Sequence, residues 1–178
     1  ENECRMLLST AFRYHGPAAV RYPRGTGPGV AVHTALDTLP IGKAELRRRG
    51  HTLAILSFGT MLSTAAEIAA ELDATLVNMR FIKPLDDTLL QALAQTHEAF
   101  VTLEDNAVAG GAGSAVAECL SALGIVLPVL HLGLPDVFLE HGTRDEVLSM
   151  AGLDLPGIRQ AIRGRFPQLS HGHVADVG

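Results

Sequence analysis

Between residues 51 and 135 the chain alternates two apolar patterns. Short, nearly continuous apolar runs in TLAILSFG, ATLVNMRFI, EAFVTLEDN and VLPVLHLG predict strands. The density of the first implies a strand covered on both faces. Between them the apolar residues fall at helical spacing. Met61, Ala65, Ile68, Ala69 and Leu72 mark one face of TMLSTAAEIAAELD, and DDTLLQALAQT and SAVAECLSALG follow as further helices. Asp86 and Asp87 suit the positive start of the second, and Gly124 stops the third. TRDEVLSMAG and LPGIRQAIRGRF predict two short closing helices, the first with Thr143 and Glu146 at capping-box spacing. This alternation predicts an α/β fold, a mostly parallel open sheet with helices on both faces.

The first fifty residues are less regular. Met6, Leu7, Leu8, Ala11 and Phe12 predict a helix over 3–14, ended by His15-Gly16-Pro17. AAVRYPR reads as a strand closed by Pro23, because proline cannot continue a ladder. The Gly25–Gly29 stretch with Pro28 is a linker that VAVHTALDTLP extends to Pro40, and IGKAELRRRG reads as a strand and turn. The basic run Arg47-Arg48-Arg49 is placed in that turn, in solvent. A lone helix followed by a lone strand cannot bury its own apolar face. Residues 1–30 are therefore expected to end a domain that begins upstream, with a linker at 31–40, an α/β domain at 41–166 and a tail at 167–178.

A chain of 178 residues, 47% of them hydrophobic, can bury one sizeable core. Its net charge of −5 argues against a nucleic-acid surface. No apolar run is long enough to span a bilayer and no signal peptide is recognisable, so the expectation is a cytoplasmic protein without a membrane partner. Cys4 and Cys119 show no CxxC spacing and are expected as free thiols. His171 and His173, in a polar terminus, are read as tail rather than metal ligands.

Three stretches are candidates for chemistry. Gly110, Gly111 and Gly113 precede a helix, whose free N–H groups can bind a phosphate. Their spacing is G-G-x-G rather than G-x-G-x-x-G, and there is no Walker lysine. Close approach of helix and sheet is the favoured reading of these glycines. Glu104-Asp105-Asn106 ends a strand where open sheets place ligands, but as paired acids they lack a second metal-ligating group. Arg80 and Lys83 end another strand. No G-x-S-x-G elbow, HExxH or partnered nucleophilic cysteine is present. These residues alone support an α/β domain with room for a small anionic ligand.

Taken in order, AVRYPRG, LPIGK, LAILSFGT, ATLVNMRFIKPLD, EDNAVAGGAGSAVAE and GLPDVFLEHGTRDEVL resemble the C-terminal part of the 1-deoxy-D-xylulose-5-phosphate synthase family. That family lies within the transketolase-like thiamine diphosphate enzymes, and the resemblance runs from residue 1 to about Phe166. It implies an enzyme using thiamine diphosphate and Mg²⁺ to join pyruvate and D-glyceraldehyde 3-phosphate into 1-deoxy-D-xylulose 5-phosphate, with loss of CO₂. The product feeds isoprenoid, thiamine and pyridoxal synthesis, and the family enzyme is a homodimer of three-domain chains. Residues 1–30 would then end the pyrimidine-binding domain, and 41–166 would be the C-terminal domain.

The same resemblance implies that Arg24 grips the substrate phosphate, a task suited to a planar guanidinium. Arg21, in the other register, is expected to be structural. The family's GDG motif, its aminopyrimidine-binding glutamate and its active-site histidines match nothing here. The resemblance thus places cofactor and metal on upstream residues and leaves this chain without catalysis of its own. The alternatives are a β-type subunit of a 2-oxo acid dehydrogenase, against which RYPRG argues, and a non-catalytic domain binding an anion at Gly110–Gly113.

Overall fold

The computed structural model describes residues 1–23, 25 and 27–169. Five strands form one sheet in the order β1-β3-β2-β4-β5. β2 (Leu53–Ser57), β3 (Thr75–Asn78), β4 (Ala99–Ala107) and β5 (Val129–Leu134) run parallel. β1 (Glu45–Arg48) is an antiparallel edge against β3. Every residue of β2 is buried, as its unbroken apolar run requires.

Alternate residues of the central strands feed two cores. On one face Leu53 and Ile55 meet Ile68 and Leu72 of α2 (Leu62–Glu71) and Ile158 and Ile162 of α6 (Leu155–Arg165). On the other, Leu56 and Phe100 meet Leu90 of α3 (Asp87–Ala94) and Val116 and Leu120 of α4 (Ala112–Ala122). A 3₁₀ turn at Gly59–Met61 leads into α2. The capping box of Thr143 and Glu146 opens α5 (Arg144–Met150). Asp86 caps α3, accepting from Leu89 N–H, and also binds Lys43 Nζ at 3.1 Å and Ala44 N–H at 3.1 Å. The alternating pattern of the sequence and the sheet it makes agree.

The N-terminal part lies against the carboxyl ends of the strands. α1 (Asn2–Arg13) presents Glu3 to Asn78, whose amide donates to both carboxylate oxygens at 2.9 Å. Residues 31–39 run back along α1: Asn2 bonds Ala31 O and His33 N–H, and Thr10 Oγ1 accepts from Leu39 N–H. Leu8 and Phe12 stay exposed on its other side, beside an open groove of ≈ 820 Å³ that Ala18, Val20 and Leu36 help to line.

Several sequence expectations need correction. Residues 18–23 form no strand, because no described strand lies beside them to complete a ladder. ATLVNMRFI yields a strand that ends at Asn78, since Arg80 takes a φ of 55° and turns the chain out of the sheet. The basic run is not all solvated turn. Arg48 belongs to β1 and donates to Ala74 O at 2.8 Å and to Asp73 Oδ1 at 2.6 Å. Cys4 and Cys119 are free thiols. His171 and His173 lie outside the described residues.

Candidate functional site

β3 lies on one side of β2 and β4 on the other, so the carboxyl ends of β2 and β4 flank the switch point where open sheets hold ligands. The turn after β2 brings Thr60 to Asp105, near the carboxyl end of β4, with Ser57 at the end of β2. Ser57 is fully buried, and its hydroxyl has no hydrogen-bond partner among the described residues.

Arg21 reaches this crevice from the N-terminal part. Its Nη1 donates to Asp105 Oδ1 at 2.8 Å and its Nη2 to the Asp105 carbonyl at 3.0 Å. Asp105 Oδ2 accepts from Thr60 Oγ1 at 2.8 Å, and Thr60 Oγ1 accepts from Arg144 Nη2 at 2.7 Å. Burial alone would raise the Asp105 pKa. The hydrogen bonds from Arg21 and Thr60, with the charges of Arg21 and Arg144, outweigh it and hold the carboxyl below its ordinary value. The crevice is occupied by the chain's own ion pairs.

The glycine-rich turn is similarly filled from within. Glu104, buried on the other face of β4, accepts from Ala112 N–H and Gly113 N–H at 2.8 Å each. The N-terminus of α4 thus already holds a carboxylate, in the place a bound anion would take. The glycines make room for it. A Cβ on Gly111 would collide with the Ala107 carbonyl and the Glu104 carboxylate, and one on Gly113 with Thr102 and His131. The close-approach reading of these glycines matches the geometry, and the anion-site reading has no free N–H pair to use.

The remaining candidates are dispersed. Arg80 bridges Glu45 at 2.8 Å and Glu3 at 3.3 Å, and Lys83 is exposed. Arg24 lies outside the described residues, whereas Arg21, Tyr22 and Pro23 before it are described and exposed. The sequence marked Glu104-Asp105-Asn106 and the glycine turn separately. It did not join Glu104 to the turn, nor Arg21, Thr60 and Arg144 to Asp105. The usable signal was an acid at a strand end eight residues before a helix lacking a polar N-cap.

These residues do not fit thiamine diphosphate and Mg²⁺. Both Glu104 oxygens are taken by α4, Asp105 is paired with arginines, and the described residues hold no group of three His, Cys, Asp or Glu able to bind a metal. No helix among them is long and apolar enough to cross a membrane.

The transketolase C-terminal domain family model matches residues 42–158. The 1-deoxy-D-xylulose-5-phosphate synthase of Thioalkalivibrio sulfidiphilus is 62% identical over 166 residues, 93% of this chain and 26% of that protein. The synthase of Xanthomonas oryzae pv. oryzae is 58% identical over 177 residues, 99% of this chain and 28% of that protein. The chain thus spans about a quarter of the length of these curated relatives. Among solved structures, a split-gene transketolase described as an inactive beta4 tetramer superposes with a TM-score of 0.68 at 30% identity, over 84% of this chain and 48% of that one. Transketolase from Leishmania mexicana, 16% identical over 74% of this chain and 19% of that one, shares the fold with a TM-score of 0.53.

Proposed function

The chain belongs to the transketolase C-terminal domain family, and on that premise we propose that it is the C-terminal segment of a 1-deoxy-D-xylulose-5-phosphate synthase. The observation that carries this is identity to such synthases extending beyond the matched domain, into the helix and RYPRG stretch at the N-terminal side. Residues 1–30 would end a pyrimidine-binding domain, 31–40 would link it to a C-terminal domain at 41–166, and 167–178 would be tail. The uncovered face of α1, with Leu8 and Phe12, suits packing against the earlier part of that domain.

In this reading the whole enzyme is a homodimer that condenses pyruvate with D-glyceraldehyde 3-phosphate. Thiamine diphosphate and Mg²⁺ would sit on upstream residues, since the acids of this chain are engaged in its own fold. This chain alone would be inactive, and the inactive assembly described for the split-gene relative supports that. Its contribution to substrate binding would be Arg24, a guanidinium able to hold two phosphate oxygens.

The test is Arg24→Ala in the full-length enzyme. Loss of a charge-assisted contact of about 1.5–3 kcal/mol should raise KM for glyceraldehyde 3-phosphate by one to two orders of magnitude and leave KM for pyruvate nearly unchanged. Equal changes in both constants would remove the phosphate role.

A further inference from the structure

We propose that the groove between β1 and α2 is a binding site for a small organic phosphate with a short apolar body, held by Arg47 and Arg48. The inference does not depend on the role proposed for the whole enzyme.

Successive residues of a strand point to opposite faces of the sheet. Here the β1–β3 register slips by one residue between Leu46 and Arg48, so that Arg47 and Arg48 together stand against Leu76. A bulge of this kind re-aims a side chain. Leu76 packs into the core beneath α2, and Arg48, its partner across the ladder, shares that face. Leu46 packs on the other face, while Glu45 and Arg47 on either side of it meet in an ion pair. Both arginines therefore flank one groove of ≈ 420 Å³, with Leu76 and the Leu62, Ser63 and Ala66 side of α2 as its floor.

The two guanidiniums are held differently. Arg48 is anchored, donating to Asp73 Oδ1 at 2.6 Å and to Ala74 O at 2.8 Å. Arg47 is 51% exposed, and among the described residues its side chain reaches Glu45 alone, at 3.2 Å. Arg80 already holds that carboxylate at 2.8 Å. One fixed charge beside one that can turn suits a phosphate, whose oxygens match the guanidinium fork. The first turn of α2 carries no acid to oppose an anion, and Ser63 Oγ, with a long bond of 3.5 Å to Thr60 O, is left to donate. Leu62, Ala66 and Leu76 offer the ligand's body an apolar floor. The volume lies within the roughly 300–1,000 Å³ of small-molecule sites.

The experiment titrates the full-length protein by calorimetry with n-butyl phosphate and with inorganic phosphate. n-Butyl phosphate should bind about tenfold more tightly, the effect of about two methylenes entering the floor. Arg47→Gln should weaken n-butyl phosphate about tenfold, the lower end of a charge-assisted hydrogen bond's worth. Phosphate sites elsewhere on the protein keep their affinity in this variant, so the difference from the parent isolates the groove. Ala66→Leu fills the floor and should remove the preference for the butyl ester. Both positions are exposed, so both variants should keep the parent's urea midpoint. An affinity unchanged by Arg47→Gln would overturn the proposal, as would equal binding of the two phosphates at the Arg47-dependent site. A preference that survives Ala66→Leu would overturn it too, since the apolar contact would then lie elsewhere.

Discussion

Glu104 shows how much one residue decides here. A carboxylate buried to 3% exposure is costly unless it is fully hydrogen-bonded. The two N–H groups of α4 that it accepts from would otherwise be unpaired in the same apolar surroundings. Each partner therefore makes the other tolerable, and the glycines at 111 and 113 are what let them meet. Replacing Glu104 with Ala removes two charge-assisted bonds and strands two donors. Stability should fall by on the order of 3 kcal/mol or more, read as a lower urea midpoint. A midpoint within error of the parent would show that α4 does not depend on this carboxylate. Gly113→Ala tests the same contact from the helix side, and it should also destabilise, since the added methyl meets Thr102 and His131.

At the scale of elements, α6 separates what packing does from what surface charge does. Ile158 and Ile162 are buried in the core beneath it, while Arg159 and Arg163 join it to Glu71 of α2 on the solvent side. Ile162→Ala should cost about 2–5 kcal/mol through the cavity it leaves. Glu71→Ala should shift the melting temperature far less, because exposed ion pairs are screened by water. A larger shift from Glu71→Ala than from Ile162→Ala would invert this order. The same contrast explains what the sequence made legible. α2, α3, α4, β2 and β4 were readable because each has a long apolar pattern of one period, set by burial against the sheet or within it. The strand expected over AAVRYPR is not formed by residues 18–23, because a strand is a relation to a neighbour, which a local pattern cannot supply. β3 ended early because Arg80 adopts a turn conformation that its residue type does not announce. The site was legible in pieces. Strand ends and glycines stand out locally, but the pairing of Arg21 with Asp105 spans 84 positions and belongs to the fold.

For the molecule as a whole, acid should weaken the fold in two separate steps. His97 precedes β4 and His131 lies within β5, each bonded to a threonine, Thr75 and Thr102 respectively. Burial pushes both below their ordinary 6.5, against the opposing pull of the Leu93 carbonyl on His97 and of Glu104 on His131. The unfolded chain therefore binds more protons than the native one once the pH drops below 6.5. Stability from these two groups is fully present above 6.5 and is lost as the pH falls towards their folded values, where the loss stops. The slope is at most about 1.4 kcal/mol per pH unit for each histidine. Asp105 behaves differently. Its folded pKa lies below 3.8, so its ion pair with Arg21 keeps its full contribution through the histidine window and loses it only as the pH falls below 3.8. Urea midpoints measured from pH 7.5 down through the carboxylate range should thus decline below 6.5 in the parent chain. In the double variant His97→Gln, His131→Gln the decline should be much shallower, while the later acid loss below pH 3.8 remains. A parent curve that is flat from 7.5 to 4.5 would mean that neither histidine is held neutral by its surroundings.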